Sequence, residues 1–330
     1  MSNKSNNSSL PLKNSSGASR TIKRYKLELI MLVVLIGIML LLQIVTGNAL
    51  KSRNLMNVFQ AATPIIIMAM GQLLIIITAG IDLSVGSIFS LSGMVAALTM
   101  NKYGIFVGVI CALLTGIACG LFNGFFVAKV NMAPFIVTLA MNGIAASLTF
   151  IIADGNSQSI LQTSFRNFDR GSFLFGIPNF IIYIIIIVVL MQFMLSKTVL
   201  GRFIYSTGSN ENAARLVGIG TSNIKMFAYT FTGFLCGLAA LLNASYLMTV
   251  ECTAGTGLES EVIAATIIGG ASLSGGVGSA VGAFIGALIS VVIRNGFNLL
   301  GINSFWQGTV TGIVIIIAVL FGQISAQKRK

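Results

Sequence analysis

Asp82 is the one acid between Glu28 and Asp154, and it stands in the run GIDLSVGS at the end of a long apolar stretch. A carboxylate at the centre of a bilayer costs roughly 3 kcal/mol on the insertion scale. Two readings of Asp82 are therefore open: a direct contact for a solute in transit, or a cap at the interface for the helix that follows. Gly80, Ser84 and Gly86 surround it and predict non-helical backbone there. There is no histidine, which removes the commonest metal ligand and the commonest proton shuttle. Cys111, Cys119, Cys236 and Cys252 form no CxxC pair, and the first three lie in apolar runs, so they read as small core residues. No G-x-x-x-x-G-K-[ST] occurs, so ATP hydrolysis and its Mg-ATP would have to sit on another subunit. A lone acid makes a poor proton relay, although a sodium site built from backbone carbonyls stays open. With no paired intramembrane carboxylates and no nucleophile beside a visible base, a membrane enzyme is disfavoured.

The second polar feature is the stretch Lys197 to Lys225, where Lys197, Arg202, Arg215 and Lys225 face a single acid, Glu211. A basic connection between apolar runs marks the cytoplasmic face. Its centre carries the signals of a short helix: Asn210 can accept a bond from a free backbone N–H, Glu211 suits the positive end of the dipole, and Gly218 can end the helix. Ala213, Ala214 and Val217 fall on one side at helical spacing, giving a small apolar face suited to docking against another protein.

The elements that must position these residues are membrane helices. Of the 330 residues 55% are hydrophobic and 8% charged, against a usual charged share of about 25%. The net charge of +12 comes from the N-terminal tail, the short connections and Lys328, Arg329 and Lys330, a topological pattern rather than a nucleic-acid surface. The fold class predicted is an all-α polytopic membrane protein. Residues 1–25 are a basic, Ser- and Asn-rich tail without the apolar content to fold. Residues 26–323 form the transmembrane domain, with a long outer loop at 154–178 and the basic loop at 197–225, and 324–330 is a second basic tail. Spans are expected near 27–45, 58–79, 88–100, 105–127, 134–153, 180–195 and 226–250, then through the Gly-dense stretch after Glu261, at 280–293 and at 306–321. About ten spans put both termini inside the cell, some of them short or broken. Pro64 is expected near the start of the second span, where a missing N–H costs least. Gly116, Gly120 and Gly124 repeat every four positions and predict close helix packing. Glu251, Glu259 and Glu261 read as an outer acidic loop. AGIDLS at 79–84 echoes GGASLS at 269–274, a faint sign of internal duplication.

Four stretches carry a resemblance: TGSNENAARLVGI from Thr207, GIDLSVGS from Gly80, GLFNGFFVAKVNMAPFIVTLAMNGI from Gly120, and EVIAATIIGGASLSGGVGSAVGAFIGALI from Glu261. In this order the chain resembles the permease subunits of ribose-type sugar importers of the ATP-binding-cassette class, over roughly residues 50–322. The resemblance implies a type II importer-like permease in a bacterial cytoplasmic membrane. Its partners would be a second permease copy, a cytoplasmic ATPase and an extracytoplasmic sugar-binding protein, with the lipid bilayer around it and no nucleic acid. It further implies that Gly208, Ser209, Asn210, Glu211, Ala213, Ala214 and Gly218 belong to the loop that couples to the ATPase. Gly80, Asp82, Ser84 and Gly86 would lie near the translocation path. Asn142, Asn295 and Asn298 could line that path or tie helices together. The other readings are an ion-coupled carrier of a small polar solute and a membrane scaffold that moves nothing.

Overall fold

The structure, a computed structural model, describes residues 26–173 and 176–303, with Trp306, Gly308, Thr309, Gly312, Ile313 and Ile316 beyond them. The tail 1–25, the tail 324–330 and most of the expected span at 306–321 lie outside the described residues. Seven described helices are long and apolar enough to cross a membrane. These are α1 (Lys26–Thr46), α2 (Ser52–Ile77), α4 (Ile105–Ala128), α5 (Pro134–Ile152), α7 (Asn179–Lys197), α10 (Thr221–Leu247) and α12 (Ala280–Leu299). Between them lie α3 (Val85–Tyr103), the short α6 (Arg166–Arg170), α8 (Val199–Ser209), α9 (Glu211–Leu216) and α11 (Leu258–Ile268).

From Ala62 to Ile77 α2 is apolar on all sides but for Thr63 and Gln72 and is buried almost throughout, as a helix must be where it has no polar face to show. It forms the centre of the bundle, packed by α10, α12, α11 and α7. It begins at Ser52, earlier than the expected Val58, so Pro64 falls inside the helix and not near its start. α3 is longer than the expected 88–100. It carries Ser87, Ser90 and Ser92 on buried positions and is shielded by α4, α5 and α10. α4 and α10 form the closest helix pair: a Cβ on Gly116 would stand 2.1 Å from the Gly233 carbonyl oxygen, and one on Gly120 2.4 Å from that of Tyr229. Only glycine admits that approach.

Helices on the rim turn apolar side chains outward, among them Ile44 on α1, Phe106 on α4, Ile151 on α5 and Leu190 on α7. The connection 154–178 is not a free loop. Gln158 and Ser159 (β1) pair antiparallel with Val250 and Thr249 (β2), and Phe165 is buried against the end of α10.

The Gly-dense stretch, one of the spans expected to be short or broken, forms no continuous helix across the bundle. After β2 the chain runs without regular structure from Glu251 to Gly257, forms the 11-residue α11, and turns through 269–279 into α12. Contacts with α3 fix the depth of this segment. Asn101, near one end of α3, donates to the Ser159 carbonyl and accepts from the Leu161 N–H, so that end of α3 meets the β1 segment. Gly86, near the other end, lies against Gly255: a Cβ on Gly86 would be 2.3 Å from the Gly255 carbonyl oxygen. At ~1.5 Å per residue Gly86 lies about 22 Å along the helix from Asn101, most of the ~30 Å of a hydrocarbon core. Residues 251–257 therefore descend from the β2 end deep into the bundle before α11 begins, and the acids at 259 and 261 do not share an outer loop with Glu251.

Candidate functional site

The GIDLSVGS run forms the turn between α2 and α3. Asp82 is 1% exposed, and its Oδ1 accepts from the Ser84 N–H at 2.8 Å and from the Ser84 hydroxyl at 2.5 Å. Asn123 on α4 donates to Ser84 Oγ at 2.8 Å and reaches Asp82 Oδ2 at 3.4 Å, and the Tyr229 hydroxyl on α10 donates to the Ile81 carbonyl at 3.1 Å. Ser87 donates to Asn142 Oδ1 on α5 at 2.6 Å. The carboxylate thus organises the turn and reaches α4 through Asn123, in the geometry of an Asx-type turn ahead of a helix, while Tyr229 and Asn142 tie the same run to α10 and α5. Within the chain it meets Ser84 beside it and Asn123 on α4. The two glycines serve close approach: a Cβ on Gly80 would stand 2.7 Å from the Tyr229 hydroxyl, and Gly86 faces Gly255 as described.

The basic loop holds two helices where the sequence suggested one. α8 is capped by Thr198, whose hydroxyl accepts from the Gly201 N–H at 3.1 Å. It was not apparent as a helix because Gly201, Arg202, Thr207 and Gly208 read as loop residues. α9 follows directly. Asn210 Oδ1 accepts from the Ala213 N–H at 3.0 Å, and Gly218, at φ +84°, ends the helix with its N–H on Arg215 and that of Ile219 on Ala214. Glu211 ties α9 down, accepting from Lys225 at 2.6 Å and Arg215 at 2.7 Å. Partial burial works to raise its pKa, but the hydrogen bond and charge of Lys225, then of Arg215, hold the carboxyl below its ordinary value.

The face of α9 differs from the one read at helical spacing. Ala214 is 4% exposed and points into the protein, while Leu216 and Val217 are 89% and 76% exposed. With Asn212 and Ala213, also exposed, they make the free stripe. Sequence reasoning missed Leu216 because Ala214 was assigned to the outer face.

Gly208 and Ser209 lie at the root of α9, where three turns meet. The Gly276 N–H donates to the Ile77 carbonyl at 2.8 Å. A Cβ on Gly208 would fall 1.6 Å from that same oxygen and 2.8 Å from Gly276 N. A Cβ on Gly275 would stand 2.6 Å from the Gly208 carbonyl oxygen, and the Tyr205 hydroxyl donates to the Gly278 carbonyl at 2.6 Å. The ends of α2 and α8 and the turn before α12 therefore contact one another through bare backbone.

Residues 54–319 match a family described as a branched-chain amino acid transport system permease component. The chain belongs to this permease family. It is 44% identical over 317 residues, 95% of each chain, to a probable ABC transporter permease protein of Sinorhizobium fredii. It is 38% identical over 310 residues, 92% of this chain and 96% of the relative, to the ribose import permease protein of Escherichia coli. It is 34% identical to the fructose import permease protein of Rhizobium meliloti, over 88% of this chain and 84% of that one. No solved structure matches.

In this permease the three asparagines singled out from the sequence lie apart. Asn142 accepts from Ser87, Asn295 exchanges two hydrogen bonds with Asn54 at 3.0 and 3.1 Å, and Asn298 is exposed at the end of α12. The first two join helices, α5 to α3 and α12 to α2. At the β1 end, Asp169 is fully buried and accepts from Gln60 with both oxygens at 3.0 Å. Burial pushes its carboxyl up to about 6, against the Gln60 hydrogen bond and the charge of Arg170. Glu261 is paired with Arg294 at 3.0 Å, closing α11 onto α12.

Proposed function

We propose that the chain is the transmembrane subunit of an ATP-driven importer that passes a monosaccharide, ribose or a related sugar, into a bacterial cell by alternating access. Near full-length identity to proteins named as ribose and fructose import permeases supports the substrate class. The description of the matched family refers to amino acids, whereas these relatives, similar over nearly the whole chain, are named for sugars. ATP hydrolysis belongs to a cytoplasmic ATPase, and sugar is delivered by an extracytoplasmic binding protein. A second copy of the permease completes the path between two subunits, since a polar solute must be shielded from lipid.

Ten crossings suit this reading: α1 to α5, α7, α10, the segment from Glu251 to Ile268, α12, and the apolar run at 306–321 read from the sequence. Both termini then lie on the side of the basic loop. A duplicated architecture is supported by the ends of α2 and α11, which close in the same backbone pattern. Ala79 and Gly270 have φ +59° and +84°, and the following N–H groups return to Ile75 and Thr266. Ala79 thus corresponds to Gly270, one residue beyond the register suggested by the sequence echo.

The observation that carries the coupling role is α9, a capped and ion-paired helix whose Leu216 and Val217 face outward on a backbone junction to α2 and α12. Burying these two side chains in an ATPase groove is worth about 1.5–3 kcal/mol each. Leu216→Asp with Val217→Asp should therefore weaken ATPase binding by on the order of a hundredfold or more. The test is co-purification in mild detergent. An ATPase retained by the wild type and lost from a monodisperse double variant supports the reading, and equal retention by both refutes it.

A further inference from the structure

The crossing from Glu251 to Ile268 is broken: residues 251–257 have no regular structure and only α11 is helical. The break sits at the level of Gly86, where the Gly255 N–H donates to the Ser90 hydroxyl oxygen at 2.7 Å and the two glycines pack backbone to backbone. Irregular backbone at such depth survives only where protein covers it or water reaches it. Here the two sides of the segment differ. Gly255, Val262 and Ala265 are buried, whereas Thr256, Gly257 and Ser260 are exposed and Glu259 is half-exposed. Among the described residues Glu259 makes no hydrogen bond or ion pair, while Glu261, two positions on, is neutralised by Arg294. The Glu259 carboxylate rests against α3, where a Cβ on Gly86 would stand 2.7 Å from its Oε2. An unpaired carboxylate in a segment that also exposes Thr256, Ser260 and the Gly257 backbone makes a poor surface for lipid. It is a suitable one for a polyhydroxylated solute, because carboxylate oxygens accept from adjacent sugar hydroxyls and threonine and serine can donate or accept.

We infer that Thr256, Glu259 and Ser260 line the sugar path, with Glu259 the principal acceptor for sugar hydroxyls. This rests on the importer reading above. It gives the GIDLSVGS run a positioning role: Gly86 lets residues 255–259 approach α3, and the Asp82 turn holds the start of α3 in place.

The test uses the complete transporter in proteoliposomes: permease, ATPase and binding protein, with the four native cysteines replaced by serine. Thr256→Cys and Ser260→Cys are treated with a membrane-impermeant cationic methanethiosulfonate, alongside Leu148→Cys on the outward side of α5 as a lipid-facing control. The expected result is rapid modification at 256 and 260, slowed by transported sugar, and little at 148. Glu259→Gln, which keeps the side-chain shape, should lower sugar uptake by on the order of tenfold while the ATPase stays bound and active. Modification at 256 and 260 as slow as at 148, or unchanged uptake in Glu259→Gln, overturns the inference while wild-type uptake leaves the importer reading standing. A wild type that takes up no monosaccharide overturns the importer reading and this inference with it.

Discussion

Gly208→Ala adds one methyl group at the junction beneath α9, and its effect can be worked out from the coordinates. The new Cβ would stand 1.6 Å from the Ile77 carbonyl oxygen and 2.8 Å from Gly276 N, both backbone atoms of other elements. Atoms this close must separate by more than an ångström, which breaks the 2.8 Å bond from Gly276 to Ile77. Leaving that buried pair unsatisfied costs about 1–3 kcal/mol, and overpacking a tight contact costs roughly 1–3 kcal/mol more. The strain falls on the join between α8, α2 and the turn before α12, while Leu216 and Val217 are untouched. The variant should therefore still bind the ATPase but transmit its movement poorly. Purified with its partners and reconstituted, Gly208→Ala should show sugar uptake per ATP hydrolysed reduced by at least about tenfold, the equivalent of ~1.4 kcal/mol in the coupling step. Gel filtration and ATPase co-purification establish that the variant is folded. A folded Gly208→Ala transporter with the wild-type ratio of uptake to hydrolysis would refute the junction as a coupling element.

Other outcomes follow from the same structure. Asn295→Leu strands the Asn54 amide between α2 and α12 and should lower thermal stability by about 1–2 kcal/mol, whereas Asn54→Leu with Asn295→Leu should recover most of it; a thermal-shift series reads the difference. The Asp169 carboxyl has its pKa raised to about 6 in the fold. Its contribution is therefore fully present below about pH 4 and lost as the pH rises through 6. Limited trypsin cleavage at Arg166 and Arg170 should increase from pH 5 to 7 in the wild type and stay flat in Asp169→Asn. Glu211 has the opposite sign: its depressed pKa gives stability present above about pH 4.3 and lost as the pH falls further. Because the pairs are partly solvated, Glu211→Gln should cost no more than about 1 kcal/mol. Hydrogen exchange over 211–218 should quicken without global unfolding.

The sequence was most legible where signals are local. The cap at Asn210, the acid at 211 and the stop at Gly218 lie within one short helix, and each was found where its type predicts. Which side of that helix faces outward was not legible, because Ala214 is buried by neighbours distant in the chain. The spacing of Gly116 and Gly120 announced a close helix contact but not its partner, which is α10. The local part of the Asp82 turn was visible as one of two alternatives. Asn123 and Tyr229, which complete it, come from later helices with no signal of their own. The descent of residues 251–257 was the least legible feature. Glu251, Glu259 and Glu261 look like a solvated loop in composition, and only the backbone contact between Gly86 and Gly255 sets their depth. Because Ala214 is buried and Glu211 is ion-paired, substitutions there act on the folding of the loop, and the docking surface is read by Leu216 and Val217.

The central claim, ATP-driven import of a monosaccharide, is tested most directly by uptake of labelled ribose into proteoliposomes holding the permease and its ATPase. The binding protein is placed on the face opposite α9. The account predicts uptake that requires Mg-ATP on the α9 side and the binding protein on the other, and that is indifferent to sodium or proton gradients. Uptake by the permease alone, driven by an ion gradient and unaffected by ATP, would contradict it.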